Sequence, residues 1–146
     1  MKYTGYIDIN KPIQEVVDFF AKSDNQKKWQ DGFIKKEQLK GNGREAGAAI
    51  KLYYKFGKRD MILTESVISN NLPNSFESSY HHTHMDNTMK CSFVPLSEEK
   101  TRYQYEFEYT RISWIMPKLM AILFPGMYRK QGEKWIRQFK EVIEKQ

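Results

Sequence analysis

Cysteine is scarce in this sequence. The 146 residues contain a single cysteine, Cys91. No disulfide can form within the chain, and a zinc ribbon built on cysteine ligands is excluded. We expect a reduced thiol that acts as a small buried apolar residue between Met89 and Phe93 on one strand face.

A long uninterrupted hydrophobic segment is also missing. The most apolar stretch, residues 112–124, is interrupted by Pro117 and is much shorter than the roughly 20 residues that a membrane-spanning helix needs. The first eleven residues alternate apolar and polar side chains, unlike the continuous apolar segment of a secretion signal. We therefore expect a cytoplasmic protein with no integral membrane segment.

Aromatic residues, by contrast, are abundant. Nine Tyr, nine Phe and three Trp make up 14% of the chain, and the formal net charge is +6. This much ring surface excludes a disordered chain, and the length predicts one domain over residues 1–146 with a sizeable core. Because the basic residues are interleaved with acidic ones and most tyrosines alternate toward the core, no nucleic-acid partner is predicted.

Hydrophobic periodicity predicts a strand, two short helices, six further strands and a long C-terminal helix. The first strand, from Tyr3 to Asn10, changes after Pro12 into apolar residues spaced by three and four. The segment from Gly126 to Lys145 has an apolar stripe at helical spacing and would be about 30 Å long. This order predicts an α+β protein in which an antiparallel sheet packs on one side against the C-terminal helix.

Two motifs resemble a cofactor site and a metal site, but the sequence around each of them does not support that function. The glycine-rich run 41–47 is followed by an alternating strand pattern, whereas a phosphate-binding loop leads into a helix. His82 and His84 could share one strand face, but a zinc site needs three or four ligands. We therefore predict no cofactor and no metal site.

One acidic residue falls where the pattern predicts the core. A two-residue type II′ turn at Gly57-Lys58 would pair Tyr54 with Met61 and Ile50 with Glu65. This register points the Glu65 carboxylate inward. A carboxylate in an apolar interior must be hydrogen-bonded, protonated or in contact with a wet cavity.

The sequence is compatible with three roles for Glu65. It could be satisfied structurally by Arg59 or by a tyrosine hydroxyl. It could orient the polar end of a ligand, or it could act in acid and base chemistry with Tyr80 and His82 on the next strand.

Gly132 and the apolar segment also have more than one interpretation. Gly132 lies on the buried stripe of the C-terminal helix, where it allows either close contact with the sheet or room for a ligand. Residues 112–124 are predicted to be plain core, a lid over a cavity, a dimer contact or a peripheral membrane contact.

The whole arrangement resembles the helix-grip superfamily of START, birch-pollen-allergen and polyketide cyclase/dehydrase-like proteins, the SRPBCC group. The resemblance covers nearly the whole chain. It lies in Ile9-Asn10-Lys11-Pro12 through Val16, Phe19 and Phe20, in Trp29-Gln30-Asp31-Gly32, in the Gly41 to Gly47 turn, and in the helix around Trp135 and Phe139. It implies a curved seven-stranded antiparallel sheet wrapped around a long C-terminal helix, with a hydrophobic cavity between them.

The function that this resemblance implies is the binding of a small hydrophobic or amphipathic ligand, lipid-like or aromatic and polyketide-like, by a monomer or weak homodimer. Whether the protein is an enzyme stays open. The alternatives are a cyclase or dehydratase that uses Glu65 or His82, and a partner-binding, co-chaperone-like module. The candidate ligand-binding residues are Trp29, Tyr54, Met61, Glu65, Tyr80, His82, Met89, Tyr105, Phe107, Met120, Phe124, Tyr128, Gly132 and Trp135.

Overall fold

The structure is a computed structural model that describes residues 2–112 and 126–146, with residues 126–128 described by their backbone alone. A short 3-10 turn, Ser23–Asn25, separates the first two helices. The elements are β1 (Lys2–Ile9), α1 (Ile13–Ala21), α2 (Gln26–Trp29), β2 (Phe33–Lys40), β3 (Ala49–Phe56), β4 (Arg59–Asn71), β5 (Ser75–His82), β6 (Met85–Ser97), β7 (Lys100–Ile112) and α3 (Gly126–Glu144).

The strands form a seven-stranded antiparallel sheet in the order β1-β7-β6-β5-β4-β3-β2. The first strand, β1, pairs with the last strand, β7. The two edge strands of the sheet are therefore β1 and β2. The α3 helix packs against the inward face, as its apolar stripe requires. The predicted α+β helix-grip fold, a curved sheet around a long C-terminal helix, is confirmed.

The β3–β4 hairpin has the predicted register. Phe56 pairs with Arg59, and Ile50 pairs with Glu65. Gly57 has a φ of +63°, and no residue other than glycine has a positive φ in the described ranges, as a type II′ turn requires. Because side chains alternate along a strand, this turn fixes which residues of both strands face inward.

The β6–β7 hairpin keeps the apolar faces of its two strands together. Cys91 lies opposite Tyr105, and its two inward neighbours Met89 and Phe93 lie opposite Phe107 and Tyr103. Cys91 is buried, and this burial raises the pKa of its thiol to about 12. The thiol therefore behaves as the small apolar core residue that the pattern predicts.

A cluster of rings fills one half of the space between the sheet and the helices. Phe20 of α1 contacts rings from the sheet edge-on, with centroid distances of 5.4 Å to Phe76 and 5.2 Å to Phe93. Phe139 of α3 joins the same cluster, at 5.3 Å from Phe19 and 5.5 Å from Tyr103. These residues are buried, so this half of the interior is tightly packed.

Membrane contact was one expectation for the apolar segment. No helix in residues 2–112 and 126–146 is long and apolar enough to cross a membrane. The lid, dimer, membrane and core interpretations concern residues 112–124, of which 113–124, with Met120 and Phe124, lie outside the described ranges. The side chain of Tyr128 also lies outside them.

The turn from α2 into β2 depends on Gly32. Its φ is +88°, and a Cβ at this position would lie 2.6 Å from the Phe56 ring and 3.0 Å from the Lys55 carbonyl oxygen. The backbone N–H of Lys55 donates to the Gly32 carbonyl at 2.8 Å. The turn therefore approaches β3 as closely as a residue without a side chain allows.

We expect Gly32→Ala to lower the free energy of unfolding by about 3 kcal/mol, because it adds overpacking to the cost of a left-handed backbone. Gly43→Ala is the matched control, since Gly43 has a φ of +50° and nothing within 4 Å of its added Cβ. It should cost only about 1 kcal/mol. Urea unfolding measures both, and equal losses would contradict the close approach at Gly32.

Candidate ligand-binding site

Glu65 lies on the inward face of β4 and is almost completely buried, with 2% of its side chain exposed. Its Oε2 atom accepts three hydrogen bonds. The donors are Nη2 of Arg44 at 3.1 Å, Oγ of Ser78 at 2.7 Å and the hydroxyl of Tyr80 at 3.0 Å. The predicted tyrosine hydroxyl partner is therefore confirmed, and Tyr80 is the residue directly opposite Glu65 in the sheet.

Arg44 enters this interior from the glycine-rich turn between β2 and β3. Its guanidinium lies between the rings of Phe20 and Phe76, with centroid distances of 4.8 and 4.3 Å. Nη1 donates to the Phe20 carbonyl at 3.3 Å. Burial lowers the pKa of Arg44, but the charge and hydrogen bond of Glu65 raise it together with Tyr80 and Cys91, so the pKa lies above its ordinary value.

The prediction that Arg59 neutralises Glu65 is wrong. Arg59 is an exposed residue at the start of β4, opposite Phe56, and the cation beside Glu65 is Arg44. Sequence reasoning missed Arg44 because a loop residue has no periodicity that shows where its side chain points. The inward position of Ser78 could have been predicted from the sequence, because Ser78 alternates in step with Phe76 and Tyr80 along β5.

Tyr80 supplies a hydroxyl that stays protonated. Burial and the negative charge of Glu65 both raise the pKa of Tyr80 well above its ordinary value. The hydroxyl therefore donates to Glu65 throughout the physiological pH range. Unlike Glu65, the Tyr80 side chain is only half-buried, so the residue connects the buried ion pair with a less enclosed part of the interior.

That part of the interior is a set of inward-facing apolar residues that pack against the core and remain half-buried. Trp135 of α3 stacks on Tyr54 at 5.4 Å and on Phe56 at 6.4 Å between centroids. Tyr54 is buried and pairs with Met61 across the hairpin. We call this set the half-buried apolar face; its members are Met61, Leu63, Tyr80, Phe107 and Trp135.

His82 lies at the end of β5 and is half-buried. Burial lowers the pKa of its imidazole, and the positive charges that His84 and His81 can carry lower it further. Its Nδ1 atom accepts the backbone N–H of His84 at 3.2 Å, so the neutral ring carries its proton on Nε2. No hydrogen bond links His82 to Glu65 or Tyr80 in the described ranges. The structure therefore brings together only Glu65 and Tyr80 of the predicted polar group.

His81 lies on the outer surface of the β5–β6 hairpin, whereas the ring of the half-buried His84 lies 5.6 Å from the His82 ring between centroids. His81 Nδ1 lies 2.5 Å from Asp86 Oδ1, and Arg111 Nε donates to the same carboxylate at 2.7 Å. Among residues 2–112 and 126–146, no group of three or more His, Cys, Asp and Glu side chains could hold a metal ion.

Gly132 marks a close approach of α3 to the sheet. A Cβ at this position would lie 2.9 Å from the Tyr3 hydroxyl and 3.5 Å from the Phe107 ring. Tyr3 and Phe107 are themselves in contact, at 5.3 Å between centroids. Of the two interpretations of Gly132, the structure supports close helix-to-sheet contact, because the Tyr3 hydroxyl occupies the space that a side chain would take.

The remaining predicted site residues divide into two groups. Met89 and Tyr105 are buried, with the Tyr105 ring lying over Gly5 of the neighbouring strand. Trp29 packs edge-on against Phe139 at 5.3 Å. It lines a separate surface cleft of about 330 Å³ between α2 and α3. None of these three residues belongs to the half-buried apolar face.

Comparisons with known proteins define the class of this fold. No protein-family model matches the chain, and no curated protein matches it. Solved structures do match over nearly the whole length, at low identity. They include the Zhui aromatase/cyclase of a Streptomyces species, with a TM-score of 0.81, 9% identity and coverage of 99% of this chain and 93% of that one.

Two further matches agree with this assignment. A START superfamily protein from Mycobacterium smegmatis has a TM-score of 0.74 and 13% identity, and covers 96% of this chain and 97% of its own. A conserved protein from Geobacillus kaustophilus has a TM-score of 0.79 and 12% identity, with coverage of 99% and 96%. The chain therefore has the helix-grip fold of START-like proteins and aromatase/cyclases, as its sequence resemblance implied.

We expect Arg44→Met to lower the free energy of unfolding by about 3 to 5 kcal/mol, because it leaves the buried Glu65 carboxylate without a cation. Arg102→Met is the matched control. Arg102 also pairs with a carboxylate, Asp8, and also covers a ring, Tyr6, but it lies at the surface. Its replacement should cost far less. Urea unfolding compares the two variants, and similar losses would show that Glu65 does not depend on Arg44.

Proposed function

We propose that this protein binds a small hydrophobic or amphipathic molecule, lipid-like or aromatic and polyketide-like, between the sheet and α3. The observation that carries the proposal is the half-buried apolar face. Its five members point inward from three strands and from α3, yet each keeps part of its surface uncovered. Small-molecule sites are typically lined by apolar side chains with a few polar groups, and the Tyr80 hydroxyl gives this apolar surface one polar group.

The contrast between the two halves of the interior supports the proposal. In the packed half, Phe20 and Phe139 lie within ring-contact distance of several neighbours and are buried. In the other half, Leu63 and Met61 face the same interior but stay half-buried. A ligand that covers them would remove apolar surface from water, which favours binding by about 25 cal/mol for each Å² covered.

The fold comparisons support the chemical class of the ligand. Several matched structures are named aromatase/cyclases, among them Zhui and one unit of the di-domain protein BexL. We infer by analogy that a ring system is a suitable occupant here too. The analogy rests on fold alone, so the test uses a neutral aromatic dye rather than any particular natural product.

Leu63→Trp should weaken binding of the neutral dye N-phenyl-1-naphthylamine at least tenfold, because the larger ring occupies the space proposed for the ligand. Ile62→Trp is the control: Ile62 is the next residue on β4, points to the opposite face of the sheet and is 44% exposed. It should leave the affinity unchanged. Dye fluorescence titration measures both, with melting temperatures as a check on folding. Binding that never saturates, or equal affinities in both variants, would refute the proposal.

A second candidate function is a cyclase-type or dehydratase-type reaction with His82 as the acid or base. The observation that favours it is the position of His82 on the inward parity of β5, two residues from Tyr80, with a depressed pKa. A neutral imidazole at pH 7 can accept a proton from a carbonyl-bearing ring. Glu65 is less suited to this role because its Oε2 atom already accepts three hydrogen bonds.

If the protein is such an enzyme, His82→Gln should slow cyclisation of a linear poly-β-ketone at least a hundredfold, in line with the loss of a general acid or base. His81→Gln, on the outer face of the same strand, should have no effect. Because the pKa of His82 lies below its ordinary value of 6.5, wild-type activity should persist to a lower pH than a histidine of ordinary pKa allows, and it should fall once the imidazole is protonated. An unchanged rate in His82→Gln would remove His82 from the mechanism.

A further inference from the structure

The outer face of the sheet carries a cleft of about 480 Å³ over β1, β7 and β6. Strand pairing arranges six of its side chains in two neighbouring rows, Tyr6-Gln104-Ser92 and Thr4-Glu106-Lys90. All six alternate with the inward-facing residues of their strands, so they point away from the helices. The volume lies within the roughly 300 to 1,000 Å³ that is typical of small-molecule sites. This cleft is therefore a second candidate site, on the opposite face of the sheet from the half-buried apolar face.

Tyr6 presents an exposed ring in this cleft, with 60% of its surface exposed. The guanidinium of Arg102 lies over one face of the ring, 4.2 Å from its centroid. This guanidinium donates two hydrogen bonds to the Asp8 carboxylate, at 2.8 Å from Nε and 3.1 Å from Nη2. A two-point contact of this kind fixes orientation as well as position. Arg102 therefore supports the Tyr6 ring from one side.

The other face of the Tyr6 ring borders the cleft. Asp8 and Arg102 form the next row on one side of Tyr6, and neither is among the described residues that line the cleft. Thr4 and Glu106 form the next row on the opposite side, and both line it. The ring thus offers the cleft a flat apolar surface.

The cleft has no net charge. The two ionic side chains among its described lining residues are Lys90 and Glu106, which lie directly opposite each other. Glu106 also pairs with Lys2 at 2.6 Å, and Lys90 has Glu77 opposite it on the other neighbouring strand. An ionic ligand would therefore meet a charge of its own sign as closely as one of the opposite sign. This balance favours an uncharged ligand.

The remaining polar side chains of the cleft are hydroxyls and amides. Oγ of Ser92 donates to Oε1 of Gln104 at 3.1 Å, which leaves the amide hydrogens of Gln104 available to a ligand. Thr4, Asn74 and Ser75 also line the cleft, and their side chains make no hydrogen bond within the described part of the chain. Hydroxyls and amides can each donate and accept, so this lining matches a ligand with several hydroxyl groups.

We propose that this outer cleft binds an uncharged pyranose carbohydrate. A pyranose ring has a face of C–H groups, which would stack on the free face of Tyr6 and remove apolar surface from water. Its hydroxyl groups, around the edge of the ring, would bond with Gln104 and with the hydroxyl and amide groups beside it. The proposal does not depend on a ligand in the interior.

A glycan microarray tests the class of ligand. The full chain carries a biotin tag and is bound to fluorescent streptavidin, whose four sites raise the avidity of a weak interaction. The array displays uncharged gluco-, galacto- and manno-configured oligosaccharides beside sialylated and sulfated ones. We expect saturable binding to uncharged glycans and a signal at least tenfold lower on the acidic glycans. Binding to none of them, or equal binding to the acidic ones, would overturn the proposal.

Variants then assign the binding to this cleft. Tyr6→Ala should lower the signal on the uncharged glycans at least tenfold, because it removes the stacking surface, whereas Tyr6→Trp should retain it. Tyr53→Ala is the matched control: Tyr53 also lies on the outer face below lysine ammonium groups, but on β3 and outside the cleft. It should keep the full signal. A wild-type signal from a folded Tyr6→Ala protein would overturn the assignment, and Gln104→Leu decides the question if Tyr6→Ala does not fold.

Dye binding separates this site from the interior one. Tyr6→Ala should leave the affinity for N-phenyl-1-naphthylamine unchanged, because Tyr6 lies on the other face of the sheet. A parallel loss of dye and glycan binding in this variant would overturn the assignment of carbohydrate to a separate outer site. If the dye fails to bind the wild-type protein but uncharged glycans bind, the interior function fails and the outer site stands.

Discussion

The buried ion pair between Arg44 and Glu65 is the interaction on which the rest of the interior depends. A carboxylate with 2% of its side chain exposed is tolerated only beside a cation and hydrogen-bond donors. The cation comes from the β2–β3 turn, and the donors Ser78 and Tyr80 come from β5. Arg44 also stacks on Phe20 of α1. The Arg44–Glu65 ion pair therefore connects the β2–β3 turn, the strands β4 and β5, and the helix α1.

This arrangement divides the interior into two halves with different properties. On the side of Phe20 and Phe76, rings enclose the guanidinium and fill the space, which makes that half a rigid support. On the side of Tyr80, the same carboxylate meets side chains that are half-buried. The ion pair therefore lies between a closely packed half of the interior and a half whose side chains keep part of their surface uncovered.

Much of this geometry was predictable because strand periodicity is a strong constraint. Once the Gly57-Lys58 turn is recognised, alternation alone places Glu65 inward and opposite Tyr80. Strand alternation does not place Arg44, since a turn residue has no period. It is equally silent on Gly132, because a helical stripe shows which face is buried but not how near the sheet lies. The 2.9 Å approach of the Tyr3 hydroxyl depends on packing that only the folded chain shows.

The gap between fold and function follows from the same reasoning. Matched structures share 9 to 13% identity with this chain at TM-scores of 0.74 to 0.81, so alternation, turns and one amphipathic helix suffice to specify the architecture. They do not specify the few polar atoms inside it. Those atoms decide which polar groups can be buried beside them, as Arg44, Ser78 and Tyr80 are beside the Glu65 carboxylate. Function in this fold therefore has to be argued from individual buried polar side chains, starting with Glu65.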